Sequence, residues 1–289
     1  MAMFISEFKI LGTLFWLVYV AVAGGLIYAA VRKPGSLRGK VSAAVVVVLA
    51  FSVLPVINAK EAVERKLAQA ESAKYREAAW AHFRKRCKEN AGEKISKVIE
   101  DVKGIYLQRP REKPKVSDLR DQYWMGDPYG LVTYPPAEIS RYLNYLDDKG
   151  IPTKKRTARQ GFKYVITRRL VGQYLEYRLD VTNEDLITRN LEIQPSRYSV
   201  TWSDISTDED RKYWVAGGQL RIVDLATTEV LGERIGYVIE SGFGSTAGGR
   251  VPWLIARRNA CPPIERNVAK DRLFVERVLR PMRRESDDK

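Results

Sequence analysis

The chain contains one histidine and two cysteines, so chemistry that depends on either residue has few places to sit. His82 stands in "WAHFRK" between Ala81 and Phe83. It is the sole candidate for a histidine-dependent triad or metal site, and its helical setting separates it from loop-borne nucleophiles. The stretch "SGFGSTAGGR" at residues 241–250 has the glycine content of a phosphate cradle, with Gly242, Gly244, Ser245, Thr246 and Arg250 as candidate loop contacts. It lacks the G-x-x-x-x-G-K-[ST] spacing and follows a strand instead of opening a helix, so a tightly turning loop is the simpler reading. Asp204, Asp208, Glu209 and Asp210 gather as a calcium-binding loop would, but without the required alternation or central glycine. Ser206 and Glu209 instead have the spacing of a capping box that starts a helical turn. A run free of acids contains Lys154, Lys155, Arg156, Arg159, Lys163, Arg168 and Arg169. It is a candidate surface for an acidic partner or a membrane, set against the plainer reading of a solvated face. These residues define no catalytic group, metal site or cofactor.

The elements that would position these groups divide the chain into three. Residues 10–31 form an uncharged apolar run long enough to cross a bilayer, and a second run covers residues 41–57. Between them "RKPGSLRGK" carries Arg32, Lys33, Arg38 and Lys40 with no acid, which under the positive-inside rule makes it a cytoplasmic turn. Residues 1–58 are therefore expected to be a two-helix transmembrane anchor in a bacterial inner membrane, with the C-terminal domain in the periplasm. The net charge of +14 is spread over the whole length rather than concentrated on one segment, a poor match for phosphate recognition, and nucleic acid is excluded as a partner. One cysteine pair, Cys87 and Cys261, is compatible with one disulfide where the compartment oxidises thiols.

Residues 59–110 are rich in Ala, Glu, Lys and Arg, which predicts a long amphipathic helix or stalk. Trp80, Phe83, Cys87, Ala91, Ile95, Val98, Val102 and Ile105 would form its apolar stripe. Residues 111–289 are expected to be an α+β domain. "PAEISRYLNYLDDKG" reads as a short helix, and "FKYVITR", "QYLEYRLDV", "DLITRNLEI" and "RYSVTW" read as strands. "YWVAGGQLRIVDL" and "EVLGERIGYVIE" then form an antiparallel hairpin, and residues 264–280 a final helix. The predicted fold is an α+β membrane protein with two N-terminal transmembrane helices, a long amphipathic helix, and a six-stranded antiparallel sheet with a C-terminal helix.

At "RCKENAGEKISKVIEDVKGIYL", at the stretch from "WSDISTDEDRKYW" to "GFGSTAGGR" and at "PWLIARRNACPP", the chain resembles an uncharacterised family of proteobacterial inner-membrane proteins with a periplasmic domain. The resemblance covers roughly residues 80–265. It implies an envelope protein with both cysteines in matching segments and brings no activity with it. Such genes can stand beside those of secreted antibacterial lipase effectors, which implies an immunity protein. The functional expectation is a non-catalytic, membrane-anchored periplasmic protein-binding module that neutralises such an effector. The alternative is a structural subunit of a bacterial envelope or secretion assembly. The expected partners are another protein, an effector toxin or envelope component, and the membrane.

Overall fold

Helix α1 (Leu37–Asn90) begins where the sequence suggests a turn and ends before the sequence suggests a stop. The computed structural model describes residues 17–26, 28, 29, 32, 37–110, 113–124, 137–146, 152, 153, 161–170, 172–180, 185–263 and 270–282. The chain forms two units, Met1–Tyr75 and Arg76–Lys289, with the boundary inside α1.

In the first unit the two-helix transmembrane anchor is corrected. Among the described residues no helix is long and apolar enough to cross a membrane. The expected turn at 32–40 is described only at residues 32 and 37–40. Residues 37–40 are already helical, and the apolar run 41–57 continues without a break into the charged stretch that follows. Much of the first run, residues 10–31, lies outside the described residues, as do Lys33 and the loop positions 34–36. The placement in an inner membrane and the membrane as a partner fall with the anchor. Arg32 is helical and exposed, and it donates to the Tyr28 hydroxyl at 2.6 Å. Farther along, Arg65 donates to Glu61 one turn earlier at 2.8 Å, an exposed pair worth a few tenths of a kcal/mol.

In the second unit α1 stops at Asn90 because Gly92 takes φ +147°, which ends the helical ladder. The expected helix through 110 is replaced by three strands: β1 (Gly92–Ile95), β2 (Ile99–Val102) and β3 (Gly104–Arg109). The β-branched residues Ile95, Val98, Ile99, Val102 and Ile105 suit strands better than a helix, and their steps of three and four are coincidental. After α2 (Ala137–Leu143) come β4 (Tyr145–Leu146), β5 (Pro152–Thr153), β6 (Tyr164–Leu170), β7 (Gln173–Leu179), β8 (Leu186–Leu191) and β9 (Tyr198–Asp204). A single turn of helix, α3 (Asp208–Lys212), precedes the hairpin of β10 (Val215–Asp224) and β11 (Glu229–Ile239). The chain then forms α4 (Pro252–Ala256), β12 (Ala260–Cys261), α5 (Lys270–Val278) and β13 (Leu279–Pro281). Residues 264–269, the expected start of the last helix, lie outside the described residues.

The fold is α+β with a mixed sheet, not six antiparallel strands. Among the described residues nine strands join in one sheet, in the order β1-β11-β10-β9-β3-β6-β7-β8, with β12 also on β11. The expectation lacked β1, β3 and β12, and of these the one that connects the sheet is β3. It lies between β9 and β6 and runs parallel to both, joining the meander β6-β7-β8 to the meander β9-β10-β11. β13 pairs with β2, and β4 with β5, as small separate sheets.

One face of the sheet is covered by two helices. Ile105, Leu107, Val165, Val200, Trp202, Leu220 and Ile222 from the strands pack with Tyr142 and Leu143 of α2 and with Phe274, Val275 and Val278 of α5. Full burial of one such side chain contributes about 1.5–3 kcal/mol. Gly232 lets α5 come close, since a Cβ there would lie 2.7 Å from Val278 Cγ2. At the end of the sheet where β10 starts and β11 finishes, both faces are covered. Val215, Tyr237 and Ile239 pack with Ala79 and Phe83 of α1, while Ala216 and Val238 pack with Trp214, Trp253 and Ala256. Successive strand residues point to opposite faces, so Val215 and Ala216 enter different apolar clusters, and β11 ends in an unbroken buried run.

The turn between β10 and β11 is tied to the start of β9 by charge. Arg197 grips Asp224 with two nitrogens, Nε to Oδ1 at 3.0 Å and Nη2 to Oδ2 at 2.7 Å, and the Ala226 amide also donates to Oδ1. The Arg197 hydrogen bonds hold the Asp224 carboxyl below the usual carboxylate range, against the opposing effect of burial. A carboxylate depressed in the folded state contributes stability above its unfolded pKa of about 3.9, and that contribution is lost as pH falls through the lower folded value. Urea midpoints of the wild type and of Asp224→Asn are therefore expected to differ most near neutral pH and to converge as pH falls from about 5 to about 2.

Candidate functional site

A dense polar cluster lies where the end of α1 meets α3. His82 and Arg86 are four residues apart on α1 and therefore share a face. Both reach Asp210, whose side chain is fully buried: His82 Nε2 lies 2.6 Å and Arg86 Nε 3.1 Å from Oδ1. The other oxygen, Oδ2, accepts from the Thr207 amide and hydroxyl, each at 2.9 Å. The Asp210 amide in turn donates to Thr207 Oγ1 at 3.1 Å, so Thr207 and Asp210 form a complete capping box on α3. This box sits one residue beyond the expected Ser206 and Glu209 pair. The Ser206 hydroxyl is taken by Asp204 Oδ1 at 2.6 Å, and the Gly217 amide donates back to Ser206 Oγ at 2.8 Å. Asp208 and Glu209 are exposed, so the acidic run points in different directions. Among the described residues no group of three or more His, Cys, Asp or Glu side chains is placed to hold a metal ion.

Aromatic rings surround the cluster. The Arg86 guanidinium lies 4.9 Å from the centroid of Tyr237, and the His82 and Tyr213 rings are 5.3 Å apart. Burial pushes the Tyr237 hydroxyl above the ordinary tyrosine value; Arg86 opposes the rise and Asp210 adds to it. Next along α3, the buried Arg211 donates to Asp204 Oδ2 at 2.6 Å and lies over Trp253, while Gln122 donates to the carbonyls of Arg211 and Lys212. His82 Nε2 is within hydrogen-bond distance of Asp210 Oδ1, Arg86 adds an ion pair at the same oxygen, and two Thr207 groups donate to the other.

The first half of the glycine-rich loop has its amides bonded internally, from Gly242 to Ser245. Its centre is Glu240, the buried residue just before it. Gly242 donates its amide to Glu240 Oε1 at 2.9 Å, Gly244 to Oε2 at 2.8 Å, and Arg250 pairs with Oε1. The chain's own carboxylate thus occupies the position that a bound anion would take. Phe243 and Gly244 hold positive φ, +49° and +81°, to close this ring over Trp214. Ser245 and Thr246 are exposed on its outer side.

The basic run is only partly placed. Lys154, Lys155, Arg156 and Arg159 lie outside the described residues. Lys163, Arg168 and Arg169 are exposed at the start and end of β6. Lys163 donates to Met282 Sδ at 3.4 Å. Tyr106, on β3, has its hydroxyl raised first by burial, then by Tyr174, with the charge of Arg168 opposing. Cys87 and Cys261 are joined as a disulfide with Cα atoms 5.9 Å apart, between the end of α1 and β12.

Arg86, Thr207, Tyr237 and Glu240 are the residues that sequence reasoning missed, and Asp210 was read only as one member of an acidic run. The i, i+4 spacing of His82 and Arg86 and the threonine three residues before Asp210 were the available signals. Their convergence depends on contacts 128 residues apart in the chain. No protein-family model, curated protein or solved structure matches this chain. The resemblance to proteobacterial inner-membrane proteins is corrected accordingly: no match supports it, and no described helix is long and apolar enough for the anchor it requires. The immunity and envelope-subunit readings that rested on it go with it.

Removing the charge at Asp210 leaves Arg86 and His82 directed at a neutral amide in a buried site. Asp210→Asn is expected to lower unfolding free energy by about 3–5 kcal/mol in urea titrations. Asp208→Asn, on the exposed side of the same turn, should stay within about 0.5 kcal/mol of wild type.

Proposed function

We propose that the unit Arg76–Lys289 is a non-catalytic scaffold, a sheet domain locked to the end of a helix. The observation that carries this reading is the Asp210 carboxylate, which receives His82, Arg86 and both donors of Thr207. A general base needs an acceptor facing the substrate. A nucleophile–histidine pair needs the ring oriented by its carboxylate toward a hydroxyl or thiol. Here the hydroxyls of Thr207 and Ser206 are committed, to Asp210 and to Asp204, and both cysteines are in the disulfide. The glycine loop, the other arrangement suited to a ligand, is folded around Glu240. Arg197 with Asp224 and Arg211 with Asp204 likewise join one element to the next.

The test compares stability and turnover in one variant. The full chain and His82→Gln would be assayed on ester, peptide, phosphomonoester and glycoside substrates, alongside urea unfolding. The scaffold reading expects His82→Gln to lower the urea midpoint and to abolish no turnover. Hydrolysis by the wild type that disappears in His82→Gln at an unchanged midpoint would contradict it.

A further inference from the structure

The strands that bury Ile105, Leu107, Val165, Val200 and Trp202 beneath α2 and α5 turn their alternate side chains to the opposite face of the sheet. There the register gathers one patch from three adjacent strands. Arg168 of β6 stands directly opposite Tyr174 of β7, and Tyr106 of β3 stands opposite Ile166, two residues before Arg168. The Tyr106 and Tyr174 rings meet edge to face with their centroids 5.9 Å apart. Gln108 of β3 belongs to the same face, because its Oε1 accepts at 2.9 Å from the hydroxyl of Thr201, which lies between the core residues Val200 and Trp202. Neighbouring strands are about 4.8 Å apart, so side chains of this length can meet above β6.

What the patch offers is donors. Thr201 occupies the oxygen of the Gln108 amide, which leaves its NH2 to donate. Arg168 and the two phenol hydroxyls have no hydrogen-bond or ion-pair partner among the described residues. Burial first, and Tyr174 second, holds the Tyr106 hydroxyl above the ordinary tyrosine value, so at neutral pH it keeps its proton. Glu176, two residues beyond Tyr174 and on the same face, is already matched by Arg178, whose Nε donates to Oε1 at 2.6 Å. The Tyr106 ring is only 7% exposed and Tyr174 is half-buried, so packing holds both phenols, while the Arg168 guanidinium stands in solvent beside them.

We propose that Tyr106, Gln108, Arg168 and Tyr174 form a binding site for a phosphate group, on the face of the sheet opposite α2 and α5. Arg168 supplies the positive charge and a fork of N–H donors that matches two phosphate oxygens. The phenol hydroxyls and the Gln108 NH2 each donate to oxygens that the fork leaves open. A carboxylate has only two oxygens, in one plane, for donors that arrive from three strands, so the tetrahedral group is the better match. Free phosphate and a phosphate ester present the same chemistry to this patch. Binding here asks for no turnover, so the site adds a ligand to the scaffold without altering the reading of Asp210.

Calorimetric titration of the full chain with inorganic phosphate, glycerol phosphate and acetate at constant ionic strength tests this. The site requires saturable one-to-one binding of at least one phosphate compound with a dissociation constant below roughly 10 mM. Tighter binding of glycerol phosphate would identify an ester as the ligand, and tighter binding of inorganic phosphate the free anion. Arg168→Met should weaken binding by about tenfold or more, and Tyr106→Phe and Tyr174→Phe by about threefold each, at unchanged urea midpoints. Tyr174→Phe, at the more exposed ring, serves where Tyr106→Phe disturbs folding. Arg169→Met, the adjacent and equally exposed charge, should bind like the wild type. Absence of saturable binding of either phosphate compound would overturn the proposal. So would acetate binding as tightly as phosphate, or an equal loss in Arg168→Met and Arg169→Met, which would reduce the patch to diffuse charge.

Discussion

A buried carboxylate must be fully satisfied, and Asp210 obtains its partners from two parts of the chain that are distant in sequence. A lone carboxylate in an apolar corner would be strongly destabilising. Thr207 supplies donors locally, and the helix supplies His82 and Arg86. Once those contacts are made, the face of α1 carrying Ala79 and Phe83 must lie on Val215, Tyr237 and Ile239, and Cys87 comes within reach of Cys261. Sheet corner, helix end and disulfide therefore share one geometric condition.

The same logic recurs at smaller scale. Glu240 organises the loop that follows it, Asp224 anchors the turn between β10 and β11 to Arg197, and Asp204 holds the buried Arg211. In each case a carboxylate near a strand end takes donors from outside its own strand and ties another segment to it. Loops in this domain are shaped by buried acids rather than by packing alone. That is why a stretch with the composition of an anion-binding loop turns out to be wrapped around an anion of its own.

Local pattern was legible where it could be decided over a few residues. The alternation of β-branched and aromatic residues from 164 to 204 marks β6 to β9, and the paired runs "YWVAGGQLRIVDL" and "EVLGERIGYVIE" mark the hairpin of β10 and β11. It misled where two periods overlap: in 92–105 the apolar residues satisfy a helical stripe while their β-branching favours strands, and Gly92 decides the matter. The parallel placement of β3 between β6 and β9 was not legible, because nothing local in "GIYLQR" specifies partners 60 and 92 to 93 residues away. The capping box was read one residue early, since Ser206 and Thr207 are equivalent until Asp204 claims the first hydroxyl. His82 was visible as a lone histidine, but its partner lies 128 residues on and carries no mark distinguishing it from Asp208.

The central claim is that the buried Asp210 contact, rather than apolar packing alone, locks the end of α1 to the sheet. A double-mutant cycle between Arg86→Met and Asp210→Asn in urea unfolding tests it most directly. The account predicts a coupling free energy of about 1 kcal/mol or more, with Arg86→Met costing much less once Asp210 is neutral. Additivity of the two substitutions to within about 0.3 kcal/mol would contradict it.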